Sequence, residues 1–303
     1  MTVADLRLFE LERCDSLAAL CDLVASRHTR GEATVLLAGG TDWLVERETS
    51  RVPAAGAALP LVVDIGRMNE LCGVELAASP GGDVLRIGAA TTYLELRKSA
   101  LVRDRAPLLP RMARDVGAVQ IQARGTLGGN LATASPAADG VAALAAFDAR
   151  VVVASLRGRR SIPIADLQTG YKTSTRAPDE VIVAVELPLP RAGAAWTWRK
   201  VAARRAQAIS KVALAALAEV NDEGRAVRIG FGMASVAPTT ALLPTVRALV
   251  LATPLAQIDG AAVDAAVDAD ITPIDDVRST AAYRRHCARA LVRGFMRELG
   301  APC

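Results

Sequence analysis

The sequence predicts an α+β protein in three parts: a small α/β layer over residues 1–60, a central α+β region over 61–192, and a C-terminal region of sheet plus helices over 193–303. Three observations lead there. A helix-period stretch runs into a short apolar run that stops at two glycines, which is the pattern of a helix feeding a buried strand. The middle of the chain holds short alternating runs separated by turn residues and short helical segments. The last hundred residues begin with long alternating runs and finish in helical patterns.

From Ser16 the apolar residues Leu17, Leu20, Cys21, Leu23 and Val24 recur at helical spacing, and Val35 to Ala38 follows as a buried strand ending at Gly39-Gly40. A second buried run, Leu61 to Ile65, comes after a loop spanning Pro53 to Pro60, and the two suit parallel neighbours in one small sheet. The central region predicts strands over Val84 to Ala89 and Val151 to Ala154, the latter turning through "LRGRR" toward Ile162 and Ile164. Helical segments are expected over Leu94 to Lys98, Leu108 to Val116 and Val141 to Phe147, and a strand over Val181 to Leu187 closed by Pro188 and Pro190. Beyond it, "WTWRKVA" alternates, and "KVALAALAEV" and "RAVRIGFGMA" flank an Asn221 to Gly224 turn as a hairpin, although the alanines of the first arm also suit a helix. Helical patterns over Ala241 to Leu251, Ala261 to Val267 and Thr280 to Leu299 complete the chain. There is no internal repeat or low-complexity linker.

Composition narrows the function classes. The net charge of +4 comes from 36 basic and 32 acidic residues spread over 303, without the clustering or aromatic interleaving of a nucleic-acid surface. Cys14, Cys21, Cys72, Cys287 and Cys303 form no metal-ligand spacing and fit a reducing compartment, so neither a structural zinc nor an iron-sulfur cluster is expected on this chain. His28 and His286 stand alone and read as surface residues. The N-terminal "MTVADLRLFE" lacks the apolar core of a signal peptide, and no run is long enough to span a bilayer, which predicts a cytoplasmic protein without membrane insertion.

Two glycine-rich stretches stand out, "AGGTD" at Ala38 to Asp42 and "RGTLGGN" at Arg124 to Asn130. Glycine permits positive φ and lets a ligand lie against bare amides, and successive N–H groups in such a turn cradle anionic oxygen. Neither stretch has the Lys-Ser/Thr of a Walker loop or the spacing of a Rossmann site. Each alone reads more readily as a tight connection. Together, with Thr41, Asp42, Thr126 and Asn130 adding hydroxyl, carboxylate and amide groups, they suit a long ligand with a diphosphate in its middle.

"LLAGGTDWL", "RIGAATTYLEL", "ARGTLGGNLATASPAAD", "GYKTSTRAPDEVIVAVELP", "RKVAARRAQAISKVALAA" and "DVRSTAAYRRHCARALV" resemble, in that order and at those intervals, the FAD-binding (medium) subunit of molybdenum hydroxylases, the xanthine dehydrogenase family in its separate-chain form. The resemblance runs nearly end to end. It implies a vanillyl-alcohol-oxidase-type FAD-binding fold for the first two parts and one non-covalently bound FAD. By position it implies that Leu36, Leu37, Ala38, Gly39, Gly40, Thr41, Asp42 and Trp43 wrap the diphosphate and ribityl chain. Thr126, Leu127, Gly128, Gly129 and Asn130 close from the opposite side, and Asp139 binds polar parts of the cofactor. Val116 is implied as an apolar contact near the flavin, Ile182 as a backbone or apolar contact, and Lys200 as a basic one. The family's common Arg-Asn before the second stretch is replaced here by Gln122-Ala123. Trp43 stands where smaller aliphatic residues are usual, as a core residue or as an aromatic wall against the cofactor.

Other residues have simpler readings. Tyr171-Lys172 reads as a strand edge and Asp179-Glu180 as a charged turn. Arg284, Arg285, Arg289 and Arg293 read as a solvated or subunit-facing helix surface, and Arg204 and Arg205 face either a partner subunit or a nucleotide phosphate.

The resemblance implies an electron-transfer role without catalytic acid-base residues on this chain. A large subunit carries the molybdopterin cofactor, a small subunit carries [2Fe-2S] centres, and FAD passes electrons to NAD, oxygen, quinone or another carrier. Two alternatives stand beside it: a self-sufficient FAD-dependent oxidoreductase acting on its own small substrate, and an assembly protein that has lost the flavin. No histidine, reactive cysteine or paired carboxylate supports the first, and the two intact glycine stretches disfavour the second.

Overall fold

The computed structural model describes residues 6–49, 58–79 and 82–303. Most of the expected Pro53–Pro60 loop, and Asp5 of the N-terminal segment, lie outside the described residues.

The first sheet is parallel, as expected, but has a third member. A two-residue strand β1 (Leu11–Glu12) precedes helix α1 (Leu17–Thr29), strand β2 (Thr34–Leu37), helix α2 (Trp43–Thr49) and strand β3 (Leu61–Asp64); the strand order is β1-β3-β2, so β2 is an edge. The sheet therefore reaches Asp64, past a boundary at residue 60. Ser16 starts α1 by accepting from the Ala19 N–H at 3.2 Å, and Leu17, Leu20, Cys21 and Val24 form its buried stripe.

The central sheet contains β4 (Val74–Ala77), β5 (Val84–Gly88), β6 (Arg150–Ser155), β7 (Gly158–Pro163) and, further along the chain, β10 (Val181–Pro188), in the antiparallel order β4-β5-β10-β6-β7. Between β5 and β6 run α3 (Tyr93–Lys98), α4 (Ala100–Arg105), α5 (Leu108–Ala113), α6 (Val119–Gln122), α7 (Leu127–Thr133) and α8 (Asp139–Ala146). After β7 come the short helix α9 (Ile164–Leu167) and a small hairpin of β8 (Gln168–Gly170) and β9 (Thr173–Ser174). One face of the central sheet packs on the first layer through Leu20, Val63, Leu71, Val181 and Val183. The other face packs on the helices.

The C-terminal sheet is the antiparallel meander β11 (Ala195–Ala202), β12 (Ser210–Val220) and β13 (Ala226–Ala234), covered by α10 (Pro244–Ala252), α11 (Gly260–Asp270) and α12 (Ala281–Glu298). The hairpin reading of β12 and β13 holds. The alanines suggested a helix as well because both faces of β12 are buried, Ala213, Ala215 and Leu217 against the central helices and Val212, Leu214 and Ala216 against α10 to α12. Helix α8 lies between the two layers with every residue buried. It comes close because β13 carries Gly230 and Gly232, where a Cβ would collide with the carbonyls of Ala146 and Ala142.

Several expectations change. Leu108 to Val116 is helical only to Ala113, and Ala241 to Leu251 becomes helical at Pro244, after Leu243 in the left-handed region with φ 51°. The segment Leu127–Thr133 is a helix, not a turn. Arg284 is not on the surface: it is 2% exposed, its guanidinium donating to the carbonyls of Ser235 and Lys211 and to Asp276. Asp276 consequently has a carboxyl held well below the usual range: burial works against this, but Arg278 and Arg284 outweigh it. Arg285 and Arg289 pair with Asp268, and Arg293 with Asp264. Asp179 and Glu180 are likewise buried and are tied to Arg157 and Arg160. Tyr171 is exposed in the turn between β8 and β9, and both histidines are exposed.

Candidate functional site

The end of β2 opens into two cavities that meet at Leu36, Ala38, Gly129 and Ala132. One, of about 390 Å³, runs along β2 toward Val24, Ile65 and Ile182. The other, of about 430 Å³, runs past Gly39 to Trp43 and reaches Tyr93, Val116, Ile121, Thr126 and Asn130. Joined at these shared residues, they form one groove suited to an elongated ligand.

The first glycine stretch lies along this groove. Among the described residues, the backbone N–H groups of Ala38 through Trp43 donate no hydrogen bond. These unpaired groups line the groove, where water or an anionic ligand can accept from them. Gly40 takes a φ of 74°, which favours glycine, and a Cβ on Gly39 would collide with the Arg124 carbonyl. The side chains add polar groups: Asp42 accepts from Thr133 Oγ1 at 2.8 Å, and Glu46 on α2 pairs with Lys172 at 3.0 Å across the mouth of the groove.

The second stretch differs from expectation. Its amides are already used: Leu127 donates to the Thr91 carbonyl, Gly128 to Ala89, Gly129 to Thr126 Oγ1 and Asn130 to the Thr126 carbonyl. Thr126 acts as the N-cap of α7, and neither Gly128 nor Gly129 has positive φ. This segment is therefore no anion cradle. Gly128 is small because a Cβ would lie 2.6 Å from Ala89, whereas a Cβ on Gly129 would meet only Thr126 Oγ1, at 3.0 Å, and would otherwise enter the groove.

Tyr93, which carried no expectation, reports most directly on a ligand. It lines the groove, is 3% exposed, and its hydroxyl is buried without a hydrogen-bond partner among the described residues. An unpaired buried hydroxyl is costly. Burial pushes its pKa well up, with Asp139 and Asp42 adding to the effect. Its sequence signal was faint, since the period of α3 marks position 93 only as a core residue.

The remaining expected residues divide. Val116 lines the cavity beside Trp43, and Ile182 the other, placed by an irregularity in β10 between Ile182 and Ala184. Trp43 is half-buried, edge-on to Phe9 at 5.2 Å, so it is a wall of the groove and not a core tryptophan. Asp139 and Lys200 line neither cavity. They pair with each other at 2.5 Å, each 8% exposed; Asp139 also accepts from Ser210 Oγ at 2.7 Å, and Lys200 donates to the Asp115 carbonyl at 3.0 Å. Burial pushes the Asp139 carboxyl above its ordinary range, with Lys200 and Ser210 pulling it back. Leu37 and Leu127 complete the two stretches, Leu127 fully buried in the core. Gln122, at the position where the resembled family has arginine, donates from Nε2 to the carbonyls of Arg114 and Val116 and accepts from Arg97, fixing the loop that carries Val116.

Comparison with known proteins identifies the family. The family described as "FAD binding domain in molybdopterin dehydrogenase" matches residues 7–190, and "CO dehydrogenase flavoprotein C-terminal domain" matches 198–299. The chain is 28% identical over 293 residues to the putative xanthine dehydrogenase FAD-binding subunit of Escherichia coli K12, covering 96% of this chain and 97% of that one. It is 32% identical over 193 residues to the nicotinate dehydrogenase FAD-subunit of Eubacterium barkeri, spanning 62% of each. Its structure is similar to a carbon monoxide dehydrogenase chain from Hydrogenophaga pseudoflava, with a TM-score of 0.84 at 27% identity over 94% of this chain and 95% of that one.

Proposed function

The chain belongs to the FAD-binding family of molybdopterin dehydrogenases, and from that premise we propose that it is the flavin subunit of a multi-subunit molybdenum hydroxylase. The observation that carries the reading is the run of unpaired amides at Ala38 to Trp43 where the two cavities meet.

When bound, FAD supplies the redox chemistry, and the protein supplies position and environment. The Ala38 to Trp43 amides hold the diphosphate, and Gly129 leaves it room. Tyr93 and Asn130 offer a hydroxyl and an amide to the ribityl hydroxyls. Val116 and Ile121 form an apolar wall for the flavin ring and keep water from one side of it, while Val24, Ile65 and Ile182 surround the adenosine end. Asp139 and Lys200 act indirectly, holding the Asp115 carbonyl and so the loop of Val116. No residue of this chain is assigned an acid-base role.

On this reading a large partner chain would carry the molybdopterin cofactor and a small one the [2Fe-2S] centres, and the FAD held by this chain would supply electrons to an external acceptor such as NAD, oxygen or a quinone. The described cysteines are all free, which suits the cytoplasm, and no helix among the described residues is long and apolar enough to cross a membrane.

Purified chain should carry one FAD, all of it released by acid because no histidine or cysteine among the described residues lines the groove near Val116. The complex copurifying with it should contain molybdenum and iron. A colourless folded chain that takes up no FAD would refute the reading.

A further inference from the structure

The cavity of about 390 Å³ that continues the groove past Ala38 has an unused cation in its wall. Arg176, Pro178 and Glu180 line it from the segment between β9 and β10, and His28, Glu32 and Thr34 line it from the first layer.

The charged groups of this lining are not equally satisfied. Glu180 is taken by the Arg160 guanidinium at 2.6 and 2.7 Å, and Glu32 by Arg27 and Arg30. Arg176 has no ion pair among the described residues. Its hydrogen bonds there run from Nη1 alone, to the carbonyls of Glu180 at 2.6 Å and Ala177 at 3.3 Å, which leaves Nε and Nη2 without acceptors. Burial pushes its pKa down, and Glu180 and Asp179 oppose this only in part.

The segment is built to hold the guanidinium in place. The Ala177 N–H donates to Glu180 Oε2 at 2.8 Å, the Glu180 N–H donates to the Ala177 carbonyl at 3.0 Å, and Arg160 reaches the Thr175 carbonyl at 3.1 Å. Arg157 takes Asp179 beside it. Arg176 is thus a half-buried, pinned group that offers a ligand in the cavity two free donors and a flat cationic face.

We propose that Arg176 binds the adenine of FAD and thereby selects the dinucleotide over FMN. The unpaired amides from Gly39 to Trp43 line the other cavity, which puts the diphosphate there and leaves this cavity to the adenosine. A purine presents ring-nitrogen acceptors to Nε and Nη2 and a π face on which a guanidinium plane stacks, while Val24, Ile65 and Val181 supply apolar surface to the ring. The assignment rests on the flavin reading of the groove.

The test uses the full-length, flavin-free chain, titrated with FAD, with FMN and, by competition against FAD, with ADP. Arg176→Met should raise the Kd of FAD and of ADP by roughly ten-fold and leave that of FMN unchanged. Arg176→Lys keeps the charge without the planar fork and should recover only part of the loss. Equal losses for FAD and FMN, or unchanged binding of FAD and ADP, would overturn the proposal. Because Nη1 also ties down its own segment, the unsubstituted chain supplies a second measurement that needs no variant to fold. Modification by phenylglyoxal, read at Arg176 by mass spectrometry, should be slowed by FAD and by ADP and not by FMN. Protection by FMN equal to that by FAD, or none by ADP, likewise overturns the assignment. A chain that binds neither flavin would refute the flavin reading instead, and protection of Arg176 by ADP would still decide whether this arginine meets a purine nucleotide.

Discussion

The two glycine pairs of this chain are alike in sequence and opposite in use. At Gly39-Gly40 the backbone turns with positive φ at Gly40 and leaves the amides from Ala38 to Trp43 unpaired along the groove. At Gly128-Gly129 the backbone is helical, every amide from Leu127 to Asn130 has a protein acceptor, and the missing side chains create space. The first pair provides donors and the second provides room. A glycine motif therefore does not identify an anion site until the partners of its N–H groups are known.

The largest effect expected concerns Asp139, which stood beside the second stretch as a cofactor contact and is observed as half of a buried ion pair. Asp139→Ala leaves Lys200 buried without a counter-charge and should cost about 3–5 kcal/mol of stability. Asp139→Leu with Lys200→Met should recover most of it. Urea unfolding of the flavin-free chain checks this, and a loss of FAD affinity without loss of stability would restore the direct-contact reading.

Gly129→Val comes next. Its side chain enters the groove and should weaken FAD by roughly ten- to hundred-fold, equivalent to about 1–3 kcal/mol of steric conflict, while the unfolding midpoint of the flavin-free chain barely moves. Full FAD content in that variant would show that the ligand does not cross α7. Gly39→Ala should behave differently, lowering stability by about 1–3 kcal/mol and FAD affinity together, because its methyl meets the Arg124 backbone.

Tyr93→Phe is the smallest and the most selective. Removing an unpartnered hydroxyl should leave the flavin-free chain as stable or slightly more so, yet cost about 1 kcal/mol of FAD binding, a several-fold rise in Kd. An unchanged Kd would remove Tyr93 from the site.

What could be read from the sequence follows from how local each signal is. The stripe of α1, the Asn221 turn between β12 and β13 and the Thr280 cap of α12 are set by neighbouring residues, and all were legible. The two-residue β1 has no periodicity to detect, and α7 was hidden because two glycines argue against a helix whose start is secured by Thr126 and the carbonyls of Ala89 and Thr91. Arg284, Asp179 and Glu180 read as surface residues because charge ordinarily means exposure, and their partners Asp276, Arg157 and Arg160 become neighbours only in three dimensions. The groove residues Leu36 to Trp43, Val116 and Ile182 followed from family resemblance; the orphaned Tyr93 hydroxyl is a property of packing alone.

The central claim, that the first glycine pair supplies donors and the second only space, is tested most directly by residue-resolved amide hydrogen exchange with and without FAD. Without FAD, amides 39–43 should exchange rapidly while 127–130 are protected. Adding FAD should slow exchange across 39–43 and leave 127–130 nearly unchanged. New protection confined to 127–130, with 39–43 still exchanging freely, would contradict the account.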